Sequence, residues 1–150
     1  MKVVLSGALY QQILDHARSR PDLEVCGLLG AVAGAIKSYY PVDNIADQPQ
    51  QAFLMDPAGQ LRAMRSMREH GETMAGIFHS HPLTAARPSL RDRREARYAN
   101  VYYFIASLQH PDPDLNCFLF DGRDFHAVPL SVDMQDHRCQ NPDSCPGGKP

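Results

Sequence analysis

The sequence predicts an α/β fold, a mixed central sheet flanked by helices, on three observations. Short apolar runs alternate with segments of helical periodicity, strands dominate the later half, and turn residues separate the segments. With 150 residues, 43% apolar and 21% charged, the chain has the size and composition of one globular domain with one core, not of a disordered segment. That domain is expected over 1–134, followed by a flexible polar tail over 135–150 that carries Pro and Gly.

The elements follow in order. Ser6 precedes 7–20, where Leu9, Ile13 and Ala17 recur every four residues with Tyr10 and Leu14 alongside, and Pro21 closes this amphipathic first helix. Residues 25–32 are almost continuously apolar and end near Gly34, while 35–42 carry Ile36, Tyr39, Tyr40 and Val42. These predict two strands joined by a tight turn, the first buried on both faces. Phe53, Leu54 and Met55 form a short extended piece before Asp56-Pro57, a capping side chain followed by proline at the first helical position. The second helix runs to about His70, with Leu61, Met64 and Met67 as its core stripe, arginines opposite and Gly71 as the stop. A buried strand over 73–79, a short helix over 89–99, a strand over 101–108 and a hairpin over 115–132, turning at Asp121-Gly122, complete the pattern.

Charge and composition exclude several function classes. A formal net charge of -2 supplies no positive field for a nucleic-acid backbone or an anionic membrane. No apolar run approaches the roughly 20 residues that span a bilayer, and Met1-Lys2-Val3-Val4-Leu5-Ser6 is too short for a signal peptide. A cytoplasmic protein, without nucleic acid or membrane as partner, is the expectation. Cys26 and Cys117 lie in apolar segments and read as small hydrophobes; Cys139 and Cys145, near His137, lack Cys-x-x-Cys spacing and read as tail.

Chemistry concentrates in three places. Gly76-Ile77-Phe78-His79-Ser80-His81-Pro82 puts two histidines on one face at the end of an apolar strand, where both imidazoles can reach one ion. A hydrolytic zinc site takes three protein ligands, and Asp92, in the first turn of the helix that Ser89 starts, is the candidate third. Alone, Ser89-Leu90-Arg91-Asp92 reads first as a capping box, and a His-x-His pair at least as readily as a surface strand end or packed imidazoles; the combination changes the odds. Metal hydrolysis also needs a base, and Glu24 is the one acid abutting the buried run Val25-Cys26-Gly27-Leu28-Leu29-Gly30.

Together, Glu24-Val25-Cys26-Gly27-Leu28-Leu29-Gly30, His79-Ser80-His81-Pro82 and Pro88-Ser89-Leu90-Arg91-Asp92 resemble the JAMM (MPN-plus) metallopeptidase signature in order and spacing. The likeness covers about 1–132 and implies the JAMM/MPN, cytidine-deaminase-like architecture. It also implies one zinc ion per chain held by His79, His81 and Asp92, with Glu24 contacting the metal-bound water and Ser89 stabilising the oxyanion. Asn44 and Phe53-Leu54-Met55-Asp56-Pro57 look like the small stand-alone prokaryotic members. Those members act on the C-terminus of ubiquitin-like sulfur-carrier proteins, so such a carrier is the implied substrate. Its Gly-Gly-type tail is expected as an added strand in a cleft lined by 40–51 and 83–88.

Three rivals are weighed against this. A non-catalytic MPN scaffold would not need the intact ligand set. A thiol hydrolase would use Cys26 with His79 or His126, but apolar neighbours raise and bury that thiol. A nucleobase deaminase lacks its His-x-Glu and Pro-Cys-x-x-Cys elements here, and the zincin His-Glu-x-x-His motif is absent too. No heptad pattern commits the surface to self-association, which leaves a homodimer open.

Overall fold

The computed structural model describes residues 1–134; the expected tail over 135–150 lies outside them. The element order is β1 (Val3–Ser6), α1 (Gly7–Ser19), β2 (Cys26–Val32), β3 (Ala35–Val42), α2 (Pro57–Glu69), β4 (Thr73–His81), α3 (Leu90–Glu95), β5 (Tyr102–Ser107), β6 (Asp114–Phe120), β7 (Phe125–Val128) and β8 (Leu130–Asp133). Six strands form a mixed sheet in the order β3-β2-β4-β5-β6-β7, with β4 and β5 parallel and the other pairs antiparallel. The mixed sheet with flanking helices is the predicted class.

Both faces of this sheet are buried, which explains the near-continuous apolar runs. Leu29, Phe78 and Phe104 face one core with Leu9, Ile13, Leu14 and Ala17 of α1; Leu28, Ile77 and Tyr103 face another with Ala63 and Met67 of α2. Alternation along β4 therefore puts His79 and His81 on the α2 face with Ile77, and Ser80 on the α1 face with Phe78. At Gly27 a Cβ would stand 2.5 Å from the Tyr39 ring, so the close approach of that ring to β2 requires glycine.

α1 matches its predicted stripe, with Ser6 accepting from the Leu9 amide at 3.1 Å as N-cap. α2 departs from expectation. Ala63 and Met67 are buried and Met64 partly so, whereas Leu61 is 65% exposed. At 100° per residue the face centred on Ala63 and Met67 leaves Leu61 turned to solvent.

Two boundaries also differ. The helix expected over 89–99 ends at Glu95; it buries no side chain and is held by its cap, so nothing propagates it further. The expected hairpin over 115–132 divides: β6 and β7 turn at Asp121, whose Oδ1 accepts the Arg123 and Asp124 amides, and then Pro129 interrupts the ladder. β8 leaves to pair in parallel with β1, a strand the sequence reading missed, in a separate two-stranded sheet. Among the described residues no helix is long and apolar enough to cross a membrane.

Candidate active site

The C-terminal end of β4 and the start of α3 bring the sequence candidates together. His79 Nε2 and His81 Nε2 lie 3.1 Å apart, and each lies 3.2 Å from Asp92 Oδ2. Bonds of roughly 2.0–2.1 Å in a tetrahedral zinc site would separate ligand atoms by about 3.3 Å, so the three donors stand close to that spacing. Glu24 is the fourth member: it, His79 and His81 each present a donor atom within 4.8 Å of the others. Unlike Asp92 Oδ2, its Oε1 makes no hydrogen bond to either histidine.

Asp92 serves two purposes at once. Its Oδ2 accepts the Ser89 amide at 2.9 Å while its own amide donates to Ser89 Oγ at 3.0 Å, a complete capping box. The bland reading of Ser89 and Asp92 therefore holds geometrically, and the same box aims Oδ2 at the imidazoles. Ser89 Oγ spends a lone pair on the cap; its hydroxyl proton has no acceptor among the described residues.

The hydrogen-bond partners fix one tautomer. His81 Nδ1 lies 2.8 Å from the Ala85 carbonyl, which can only accept, so Nδ1 carries a proton. Neutral His81 then turns the lone pair of Nε2 toward the Asp92 carboxylate and His79 Nε2, an arrangement that calls for a proton or a cation between them. A backbone carbonyl on the far nitrogen is the usual support of a metal-ligating histidine. Burial is the largest influence on His81 and lowers its affinity for a proton, but the hydrogen bonds with Asp92 and the Ala85 carbonyl and the charges of Asp92 and Glu24 together outweigh it, and the net shift is upward. His79 is shifted down by complete burial, and its Nδ1 is buried without a partner. Burial also opposes ionisation of Asp92, yet the hydrogen bonds with both histidines hold it well below the usual carboxylate range.

Glu24 precedes β2 and is 6% exposed, with Oε1 buried and unpartnered. Burial pushes its carboxyl up to about 7, against the pull of His81. A buried carboxyl with no hydrogen bond is costly to keep as structure, and poised near neutral pH it suits proton transfer.

A groove of about 610 Å³ opens beside this cluster, lined by Ala46, Phe53 and Leu54 from the loop between β3 and α2, by Arg97 and Tyr98 after α3, and by His79 and Asp92. The expected 40–51 wall is met in part, through 46–48. The loop 83–88 instead lines a second cavity against β6 and β7, through Ala85, Ala86 and Arg87. Sequence reasoning missed two contributors. Phe53 stacks on His79, centroids 4.4 Å apart and planes at 20°, and buried Ser80 accepts the Val25 amide at 2.9 Å next to Glu24. The polar residue between two histidines on a buried strand was the available signal for Ser80.

Cys26 is no nucleophile. It is fully buried, its thiol donates to the Val42 carbonyl at 3.3 Å, and burial, then Glu24, push it up to about 12. His126 lies apart from it, exposed on β7, 2.7 Å from Asp121. Cys26 and Cys117 are free thiols.

Residues 6–137 match the family model described as prokaryotic homologs of the JAB domain. The desampylase of Haloferax volcanii is 29% identical over 138 residues, spanning 88% of this chain and 97% of that protein. The CysO-cysteine peptidase of Mycobacterium tuberculosis is 29% identical over 111 residues, 73% of this chain and 75% of that one. Among solved structures, protein DSY2949 of Desulfitobacterium hafniense superposes with a TM-score of 0.79 at 35% identity, over 90% of this chain and 97% of that one. The structure described as a JAMM metalloprotease-like zinc site in the proteasome and signalosome shares the fold, with a TM-score of 0.57 at 19% identity over 88% and 98%. With its domain matched almost end to end, this chain belongs to the prokaryotic JAB-domain family and is a JAMM-type peptidase.

Proposed function

We propose that the chain is a zinc-dependent peptidase that cleaves the amide bond after the Gly-Gly-type C-terminal tail of a ubiquitin-like or sulfur-carrier protein. The observation that carries this reading is the triangle of His79 Nε2, His81 Nε2 and Asp92 Oδ2, with sides of 3.1 to 3.2 Å, backed by an unpartnered buried Glu24. His79, His81 and Asp92 would hold the metal. Bound there, zinc supplies a Lewis acid that polarises the scissile carbonyl and lowers the pKa of water toward neutrality.

The chain's own residues do the rest. Glu24 takes a proton from the attacking water and returns it to the leaving amine, a task for which a carboxyl near pH 7 is matched. Ser89 donates its remaining hydroxyl proton to the developing oxyanion while its oxygen stays engaged in the cap. The groove holds an extended tail against the Phe53 wall, where glycines have no Cβ to collide. The names of the desampylase and CysO-cysteine peptidase relatives support a carrier-type substrate.

Purified protein should hold stoichiometric zinc and cleave a sulfur-carrier protein extended beyond Gly-Gly, and chelator should abolish cleavage. No zinc in any preparation would leave a non-catalytic scaffold; zinc without cleavage would keep the site and reject the substrate.

Ser89 offers a sharper test of assigned roles. Ser89→Ala loses the cap, at about 1 kcal/mol of stability, and the oxyanion donor, at roughly 10²–10³ in kcat. Ser89→Asp keeps an N-cap acceptor without a donor, and Ser89→Thr keeps both. Stability should therefore follow the acceptor and kcat the hydroxyl. If kcat follows stability across the three, Ser89 is only a cap.

A further inference from the structure

The Glu24 carboxyl has a buried oxygen with no hydrogen-bond partner, and Glu24 lies outside the strand ladder that begins at Cys26. Its position is thus set by what grips its backbone. The Glu24 amide donates to the Pro49 carbonyl at 2.7 Å, and the Glu24 carbonyl accepts from Asn44 Nδ2 at 2.8 Å. Both partners belong to the loop between β3 and α2, which also forms the Phe53 wall of the groove.

Asn44 uses the full capacity of a primary amide. Nδ2 donates to the carbonyls of Glu24 and, at 2.9 Å, Ala52; Oδ1 accepts the amides of Ala46 at 3.0 Å and Leu54 at 2.9 Å. The loop is pinched at its neck by the bridge between Asn44 and Met55 and by the Ile45 amide on the Leu54 carbonyl at 2.8 Å. One side chain therefore joins the backbone of Glu24 to both limbs of the loop whose Phe53 stacks on His79. No other residue type fits as well: aspartate would face two carbonyls with an oxygen, and an aliphatic side chain would leave four polar groups unpaired.

We propose that Asn44 is the positioning residue of the site, holding the Glu24 carboxyl against the His79, His81 and Asp92 cluster through the Glu24 carbonyl and fixing the groove wall with the same amide. The inference rests on the reading of Glu24 as proton carrier. Asn44 itself touches no reacting atom; it acts by geometry, where a displacement of about 1 Å can cost roughly 100-fold in rate.

Two variants test it by two measurements. Asn44→Ala removes all four bonds; Asn44→Asp keeps an acceptor for Ala46 and Leu54 and removes the donors to Glu24 and Ala52. Hydrogen exchange on the chelated protein needs no substrate. The Glu24 amide should exchange faster in both variants, the Leu54 amide faster only in Asn44→Ala, and α1 amides such as Ile13 should be unchanged. With a sulfur-carrier protein extended beyond Gly-Gly, kcat should fall by roughly 10- to 100-fold at nearly constant KM, with zinc content as in wild type. A purely structural Asn44 would lower the melting temperature and leave the kcat of folded enzyme intact, and that result overturns the proposal, as does an unchanged Glu24 amide. If wild type itself does not cleave, the reaction assigned to Glu24 fails, while the exchange measurement still decides whether Asn44 holds it.

Discussion

Glu24→Gln is expected to lower kcat by about 10²–10⁴, the range for losing a positioned general base, while zinc content stays at the wild-type level. The same substitution should stabilise the chelated protein at alkaline pH. Burial raises the Glu24 carboxyl from an ordinary 4.5 to about 7 in the folded chain, so folding favours its neutral form. The favourable contribution is complete below pH 4.5 and is lost as pH rises through 7, where the carboxylate must ionise in a buried site. A shift of that size corresponds to at most about 3 kcal/mol. Glutamine stays neutral throughout, so in chelator Glu24→Gln should be the more stable protein at pH 8 and equal to wild type at pH 4, as urea unfolding can show. Equal stability at both pH values would mean that the carboxyl carries no strain. Activity retained in Glu24→Gln would remove the base from the mechanism.

A gain in stability on removing Glu24 has a physical meaning for the site. Oε1 of Glu24 and Nδ1 of His79 are the buried side-chain polar atoms without partners among the described residues, and both belong to this cluster. Elsewhere among the described residues the buried side-chain polar atoms have partners. Ser80 holds Val25, Ser107 donates to the Thr84 carbonyl at 2.6 Å, and Asn44 spends every bond it can make. Unsatisfied groups concentrated where a cluster of histidines and carboxylates meets a groove mark a place shaped by chemistry more than by stability.

Much of this was legible from residue order. Apolar runs buried on both faces announced β2 and β4, and the Leu9, Ile13 and Ala17 spacing announced α1, because in each case periodicity and burial agree. The pairing of β1 with β8 was hidden because each spans four residues and the contact is between opposite ends of the domain. Leu61 was misplaced because a three-residue spacing drifts around a helix, and the small Ala63 that does face the core carries little hydrophobic signal. α3 was drawn too long because the capping box is a strong start signal whereas its end depends on tertiary support that it lacks. The candidates Glu24, His79, His81 and Asp92 could be listed from sequence, yet the roles of Ser80, Phe53 and Asn44 arise from contacts across the fold that no local pattern encodes.

The second large effect separates the two purposes of Asp92. Asn at this position retains a side-chain oxygen that can accept the Ser89 amide, now held at 2.9 Å, so the capping box and α3 should survive. What disappears is the negative charge that two imidazole nitrogens face at 3.2 Å, and with it the anionic ligand of a divalent ion. Asp92→Asn should therefore fold, lose stoichiometric zinc and lose cleavage. The difference is also thermodynamic. Zinc at 100 times its Kd should stabilise wild type by about 2.7 kcal/mol, which for a chain of this size raises Tm by roughly 5–11 °C, and should leave the Tm of Asp92→Asn unmoved. Acid gives an independent check. The folded Asp92 carboxyl lies below its ordinary 3.8, so its contribution is present above that value and is lost as pH falls through the folded pKa. Between pH 5 and pH 3 the chelated wild type should thus lose part of its advantage over Asp92→Asn. If Asp92→Asn bound zinc as tightly as wild type, Asp92 would be a helix cap alone and the third ligand would have to be Glu24, the remaining carboxylate whose donor atom lies within 4.8 Å of both histidines.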